Sequence, residues 1–298
     1  MRQSRAGTKA VGTMNQDIIN LYDEYARGGI DRRAFLDRLA QVVGGSAAAL
    51  AMLPALEAAS GQDAIVAPDD KRLATGKAEY DAAGTKMTGY LARQTGGKKR
   101  PGVIVISENR GLNGHIEDVA RRFAVEGFLA YAPDALSPLG GTPADQNEAV
   151  KMISGLNADE TAARLAAAVK FIVTHAESTG KVGVVGFCWG GGMVNRLAAA
   201  GTTLNAGVAY YGAQLPGAEV PKISCPLMLH YGALDQRINA GIAAYEAALK
   251  ENKKPYELFM YDGADHAFNN NTNPARYNKG AADLAWKRTI EFFNKYLK

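Results

Sequence analysis

Cysteine and histidine are scarce in this chain, with two and four residues among 298. Two cysteines allow at most one disulfide, so no framework of cross-links is available to hold the fold. No Cys-x-x-Cys pair, no His-Glu-x-x-His and no tight His/Asp cluster gives metal-ligand spacing, and no metal is expected. A Gly-x-Gly-x-x-Gly turn and a phosphate-binding Walker loop are both missing, so no cofactor is expected either. Charge of one sign is missing too. The net +4 arises from 34 basic and 30 acidic residues without a sustained basic stripe, and Lys98-Lys99 and Lys253-Lys254 read as solvated faces. Nucleic acid is not an expected partner. The weakly apolar, uncharged stretch at residues 39–56 is glycine-rich and broken by Pro54, which argues against a membrane span.

What is present is enough apolar residue, 47% of the chain, for one large core or two small ones. From about residue 70 the pattern is regular. A hairpin turning at Ala83-Gly84 precedes the strand PGVIVISE, the helix HIEDVARRFAVEG and the strand FLAYAPD. One long helical stretch follows, from about Ala144 to Ser178. Then come VGVVGF with its helix, AGVAYYG, PLMLHYG, AGIAAYEAALKEN, YELFMYD and a last helix ending in FFNKYLK. Strands alternating with helices, several of them continuously apolar, predict an α/β fold whose mostly parallel sheet is covered on both faces. The opening hairpin would supply antiparallel edge strands. The predicted division is residues 1–60 as an extension and 70–298 as the main domain.

The extension contains DRRAFL at residues 31–36 ahead of the uncharged stretch, with small residues at Ala58, Ala59 and Ser60. This resembles a twin-arginine export signal and implies a periplasmic location. The alternative is a pair of amphipathic accessory helices on a cytoplasmic protein, since NQDIINLYDEYARGG is helix-like and Gly28-Gly29 makes a turn.

The most informative stretch is KVGVVGFCWGGG at residues 181–192. Cys188 stands on a sharp turn from a buried strand into a helix, with Gly186 and Gly190 two residues to either side. That is the spacing of a nucleophile elbow, and the helix N-terminus favours a thiolate or an oxyanion there. A buried structural cysteine on a glycine-rich turn is the plain alternative. Cys225, in KISCPLML, reads as packing. A thiol nucleophile needs a base, and the base needs an orienting group. His230 lies inside an apolar strand, His175 near a helix end, and His115 at a helix start. His266, in the loop DGADHAFNNN after a strand, is best placed to act as the base. Asp262 and Asp265 are too close along the chain to reach the far side of its ring. Asp235, in GALDQR, also follows a strand and is the candidate orienter. The order nucleophile, acid, histidine is that of α/β hydrolases. Glu108 and Asn109 end an earlier strand, where the backbone N–H of Asn109 would join that of Trp189 as an oxyanion hole. A carboxylate at Glu108 is unusual there, the alternative being a solvated loop acid.

GFCWGGG, ENRG, GALD and DGADHAF, in this order, resemble the dienelactone hydrolase (carboxymethylenebutenolidase) family over residues 70–298. The resemblance implies hydrolysis of a small ester or lactone through a thioester. Cys188 would be the nucleophile, His266 the base and Asp235 its orienter, with Glu108 pairing with the resting thiol. In the family an arginine a few residues past the histidine helps bind a substrate carboxylate. Here Asn269, Asn270 and Asn271 follow instead, and Arg276 is the candidate substitute. A general thiol esterase acting on other activated esters, and a non-catalytic binding protein on the same fold, are the other readings.

Overall fold

In the computed structural model, which describes residues 18, 21, 22, 24, 25, 30–52 and 64–298, the DRRAFL segment is the start of a helix. Helix α1 spans Arg32–Val43, its first turn capped by the Asp31 carboxylate, which accepts from the Ala34 N–H at 2.8 Å. It stops where Gly44 turns left-handed at φ 84°. The chain divides into two compact units, Met1–Ala59 and Ser60–Lys298. The first has its own small cluster, in which Phe35 and Leu39 are fully buried with Ile18 and Ala49, and the Tyr25 ring stacks on Phe35 at 4.6 Å. Pro54, the Gly28-Gly29 turn and the small residues Ala58, Ala59 and Ser60 lie outside the described residues.

The second unit opens with β1 (Leu73–Ala82) and β2 (Thr85–Gln94), paired antiparallel. Ala83 (φ 53°) and Gly84 (φ 85°) both take positive φ, the backbone that a two-residue hairpin needs to match strand twist. Then follow β3 (Arg100–Ile106), α2 (Gly114–Val125) and β4 (Leu129–Pro133). The stretch 144–178, expected as one helix, is two: α3 (Gln146–Ser154) and α4 (Ala158–Val173). Gly155 closes the first, and the Asn157 side chain caps the second by accepting from the N–H groups of Asp159 and Glu160. An asparagine cap competes with helix continuation, so the chain ends one helix and starts another. Strand β5 already begins before the valine run, covering Ser178–Phe187. The remainder is α5 (Trp189–Ala199), β6 (Ala206–Tyr210), β7 (Leu227–Gly232), α6 (Gln236–Asn239), α7 (Ile242–Glu251), β8 (Tyr256–Tyr261) and α8 (Lys279–Leu297).

The eight strands form one sheet in the order β1-β2-β4-β3-β5-β6-β7-β8. β2 pairs antiparallel with β4 as well as β1, so of the hairpin only β1 is an edge, with β8 at the opposite edge, and every other pairing is parallel. Side-chain alternation divides the core into two faces. Ile104, Ile106, Val182, Val184 and Leu229 meet Leu165 and Leu197 of α4 and α5 on one face. Val103, Val105, Val185, Phe187 and Met228 meet Phe123 of α2 and Phe293 of α8 on the other. Central strands β3, β5, β6 and β7 are thereby covered on both sides, which is why their sequences are apolar without a period of two. This is the α/β-hydrolase architecture. Packing of this unit begins ahead of residue 70: the Val66 N–H donates to Asp118 Oδ1 at 2.8 Å, and Arg121 Nε donates to the Val66 carbonyl at 2.8 Å. Among the described residues no helix is long and apolar enough to cross a membrane.

Candidate active site

At the end of β5 the chain reverses into α5 through Cys188, whose backbone (φ 54°, ψ −114°) lies in a region L-residues seldom occupy. Its N–H donates to the Tyr210 carbonyl at 3.0 Å, and its own carbonyl accepts from Gly192 at 3.2 Å. The flanking glycines are steric requirements. A Cβ at Gly186 would collide with the Gly190 carbonyl, and one at Gly190 would come within 2.5 Å of the carbonyls of Ile106 and Ser107. The close approach at Gly190 brings the end of β3, and with it Glu108 and Asn109, against the elbow.

The Cys188 thiol is partly exposed and titrates high, pushed up to about 12. Burial is the main cause, and the Glu108 charge adds to it. The Trp189 backbone N–H and the Arg237 charge oppose the rise. The thiol is therefore the resting form at neutral pH, despite the helix N-terminus beneath it.

His266 and Asp235 come together across the carboxyl ends of β7 and β8. His266 Nδ1 lies 2.6 Å from Asp235 Oδ2, with the two side chains 14% and 5% exposed. Asp235 is fixed independently, since its other oxygen accepts from the Ile238 N–H at 3.3 Å and caps α6. Asp265 remains at the surface, accepting from the His266 N–H at 2.7 Å. The other histidines have other roles. His230 is fully buried, with Nδ1 2.9 Å from the Tyr261 hydroxyl and Nε2 3.2 Å from Thr289 Oγ1. His175 accepts from the Glu177 N–H at the end of α4, and His115 is buried in the first turn of α2. Cys225 is buried in the core.

Glu108 is not a solvated loop acid. It is 7% exposed, and each carboxylate oxygen has a donor: the Tyr211 hydroxyl to Oε1 at 3.3 Å and the Asn270 amide to Oε2 at 2.9 Å. Tyr211 and Asn270 were invisible to sequence reasoning as site residues; the one hint was the asparagine run after the histidine. Arg276 is turned to the histidine loop itself, donating to the His266 carbonyl at 3.4 Å and lying 3.9 Å from Asp265. Asn271 accepts from Arg122 at 2.7 Å. Arg237, two residues past Asp235 and exposed, is the cation whose charge reaches Cys188. Among the described residues no group of three or more His, Cys, Asp or Glu side chains has metal-binding geometry.

Fold and site together define an α/β hydrolase. Comparison with known proteins makes the class narrower. The model of the dienelactone hydrolase family matches residues 87–297, and a YqhI-like model matches residues 9–45. A protein of Escherichia coli (strain K12) named "Putative carboxymethylenebutenolidase" is 32% identical over 250 residues, covering 78% of this chain and 91% of its own. A dienelactone hydrolase-like promiscuous phosphotriesterase from metagenomic libraries is 25% identical with a TM-score of 0.69, covering 76% of this chain and all of that one. The dienelactone hydrolase of Anabaena variabilis ATCC 29413 shares the fold at 21% identity and a TM-score of 0.61, with 76% and 100% covered. The chain belongs to the dienelactone hydrolase family.

Proposed function

We propose that the protein is a thiol-dependent hydrolase that cleaves a small ester or lactone through a Cys188–His266–Asp235 triad. As substrate enters, the thiol proton passes to His266 Nε2, with the Glu108 carboxylate assisting its departure. The thiolate attacks the carbonyl carbon, and the backbone N–H groups of Asn109 and Trp189 donate hydrogen bonds to the oxyanion. The carbon–oxygen bond then breaks, His266 protonates the departing alkoxide, and a thioester remains. His266 next removes a proton from water, the hydroxide attacks the thioester, and the acid product leaves as the Cys188 thiol reforms. With Asp235 accepting a hydrogen bond from Nδ1–H of His266, the Nε2 lone pair is left for these transfers. The observation that carries this reading is a cysteine in strained backbone at an elbow after β5, with a 2.6 Å histidine–aspartate pair at the same carboxyl edge of the sheet.

The experiment is turnover of aryl esters and lactones by Cys188→Ala, together with mass-spectrometric trapping of an acyl group on wild-type Cys188. An alanine variant with wild-type turnover would sink the thiol mechanism. A second reading, a general thiol esterase on activated esters without a carboxylate, is favoured by the spent asparagines and by Arg276 facing the loop backbone. Comparing neutral aryl esters with carboxylate-bearing lactones separates the two.

For location we propose twin-arginine export, supported by the paired Arg32 and Arg33, both exposed. The packed Phe35–Leu39 cluster favours the accessory-helix alternative. Fractionation of cells expressing wild type and Arg32→Lys/Arg33→Lys decides: a wholly cytoplasmic wild type rules out export.

A further inference from the structure

One side chain in the site is held in a backbone conformation that its type resists. Tyr211 follows β6 with φ 38°, an outlier for a bulky aromatic residue. The cause lies in its neighbours. After β6 the chain crosses the first turn of α5 so closely that two glycine backbones touch. A Cβ at Gly191 would come within 2.7 Å of the Tyr210 carbonyl and 2.8 Å of Gly212 Cα, and one at Gly212 would strike the Gly191 backbone. Tyr211 between them is pinned by its N–H, which donates to the His230 carbonyl at 2.7 Å. The side chain is fully buried. Its ring packs 5.1 Å from the His266 ring and edge-on to Phe268 at 5.3 Å, and its hydroxyl meets Glu108. Such strain persists only where the surroundings over-determine it.

We propose that Tyr211 is the positioning residue for Glu108: its hydroxyl, with the Asn270 amide on the opposite oxygen, clamps the carboxylate beside the Cys188 thiol. This rests on the thiol-hydrolase reading above. The two donors come from different elements, the end of β6 and the loop after His266, so the clamp ties the carboxylate to the histidine loop. Neither donor is charged, so Glu108 keeps its own charge toward the thiol. Burial holds the Tyr211 phenol well above its ordinary range, with the Glu108 charge adding to the effect, so the hydroxyl stays a donor throughout the working pH. The groups that face Cys188 electrostatically are Glu108 after β3, Tyr211 after β6, and Asp235 and Arg237 after β7.

The test is Tyr211→Phe, which keeps the ring and deletes the donor, studied alone and together with Glu108→Gln. The hydroxyl bond is long, so its loss should lower kcat/KM on an aryl acetate by about tenfold, the low end for a bond to a charged group. A less firmly held carboxylate repels the thiolate less. Iodoacetamide labelling of Cys188 at pH 9, located by peptide mapping against Cys225, should run about threefold faster, equal to about half a pH unit. In the Glu108→Gln background Tyr211→Phe should change neither quantity, because there is no carboxylate left to position. Asn270→Ala removes the other donor and should repeat this pattern, which keeps the clamp testable if Tyr211→Phe does not fold. Unchanged labelling and turnover in Tyr211→Phe would overturn the proposal. So would effects that persist in full beside Glu108→Gln. Turnover surviving in Cys188→Ala would instead overturn the functional reading, while the labelling rates still judge the clamp.

Discussion

Asp235→Asn isolates the electrostatic part of the site with little change in shape. The asparagine oxygen can still accept from the Ile238 N–H, so the cap on α6 survives. What changes is the 2.6 Å contact with His266 Nδ1. A carboxylate there accepts a proton-bearing Nδ1 and stabilises the imidazolium formed when the thiol proton arrives. An amide has no charge, and if its NH₂ faces the ring it selects the tautomer with the proton on Nε2, where the thiol proton must go. Taking charge centres about 4 Å apart and an effective dielectric near 20, the lost attraction is about 4 kcal/mol, which corresponds to roughly 10³-fold in rate. The tautomer effect acts in the same direction. The assay is kcat/KM on an aryl acetate beside thermal melting. We expect the rate to fall by about three orders of magnitude while Tm moves by only a few degrees. Asp235→Ala should lose a further ~1 kcal/mol of stability with the cap. An Asp235→Asn enzyme within threefold of wild type, while Cys188→Ala is inactive, would refute the assignment of the orienting acid.

Three further expectations follow from the same geometry. The Cys188 thiol is raised from 9.0 to about 12, so labelling of the free enzyme should climb about tenfold per pH unit from pH 7 to 10; a plateau near pH 7 would contradict it. The neutral thiol favours the fold fully below its unfolded value, and that contribution is lost as pH rises from about 9 toward 12. His230 is lowered from 6.5 to about 3, chiefly by burial and then by the Arg288 charge. Its contribution to stability is present above pH 6.5 and is lost as pH falls toward 3, so His230→Phe should flatten the acid limb of denaturant midpoints, and an unchanged limb would count against it. Gly190→Ala should destabilise by about 1–3 kcal/mol and depress turnover further, because its Cβ pushes on the carbonyls of Ile106 and Ser107 just before Glu108; wild-type Tm and rate would show that the elbow tolerates the methyl group.

What could be read from the sequence was what local chemistry decides. Ala83-Gly84 encodes its turn in two residues, and Gly186 and Gly190 encode the elbow by spacing alone. The His266–Asp235 pair was reachable because both follow strands of a parallel sheet, which gathers such loops at one edge. The partners of Glu108 were not reachable, because Tyr211 and Asn270 lie 103 and 162 residues away along the chain. Nothing in YYG states that a glycine–glycine crossing will turn the second tyrosine onto Glu108. The break at Gly155–Asn157 was hidden by helix formers on both sides, where a single cap outweighs propensity. Arg276 could be placed near the histidine loop from the sequence, but not its bond to the His266 carbonyl.

The attachment of Val66 to α2 fixes how far the N-terminus can be shortened. Asp118 and Arg121 are 1% and 2% exposed, and the Val66 N–H and carbonyl satisfy one atom of each. A protein trimmed at any point before residue 64 keeps both bonds. One trimmed at residue 70 leaves two buried charged groups each short of a partner, at roughly 1.5–3 kcal/mol apiece. Removal of a leader near residues 58–60 would therefore leave the hydrolase unit with its fastening intact, and expression trials should start the shortened protein there rather than at the first strand.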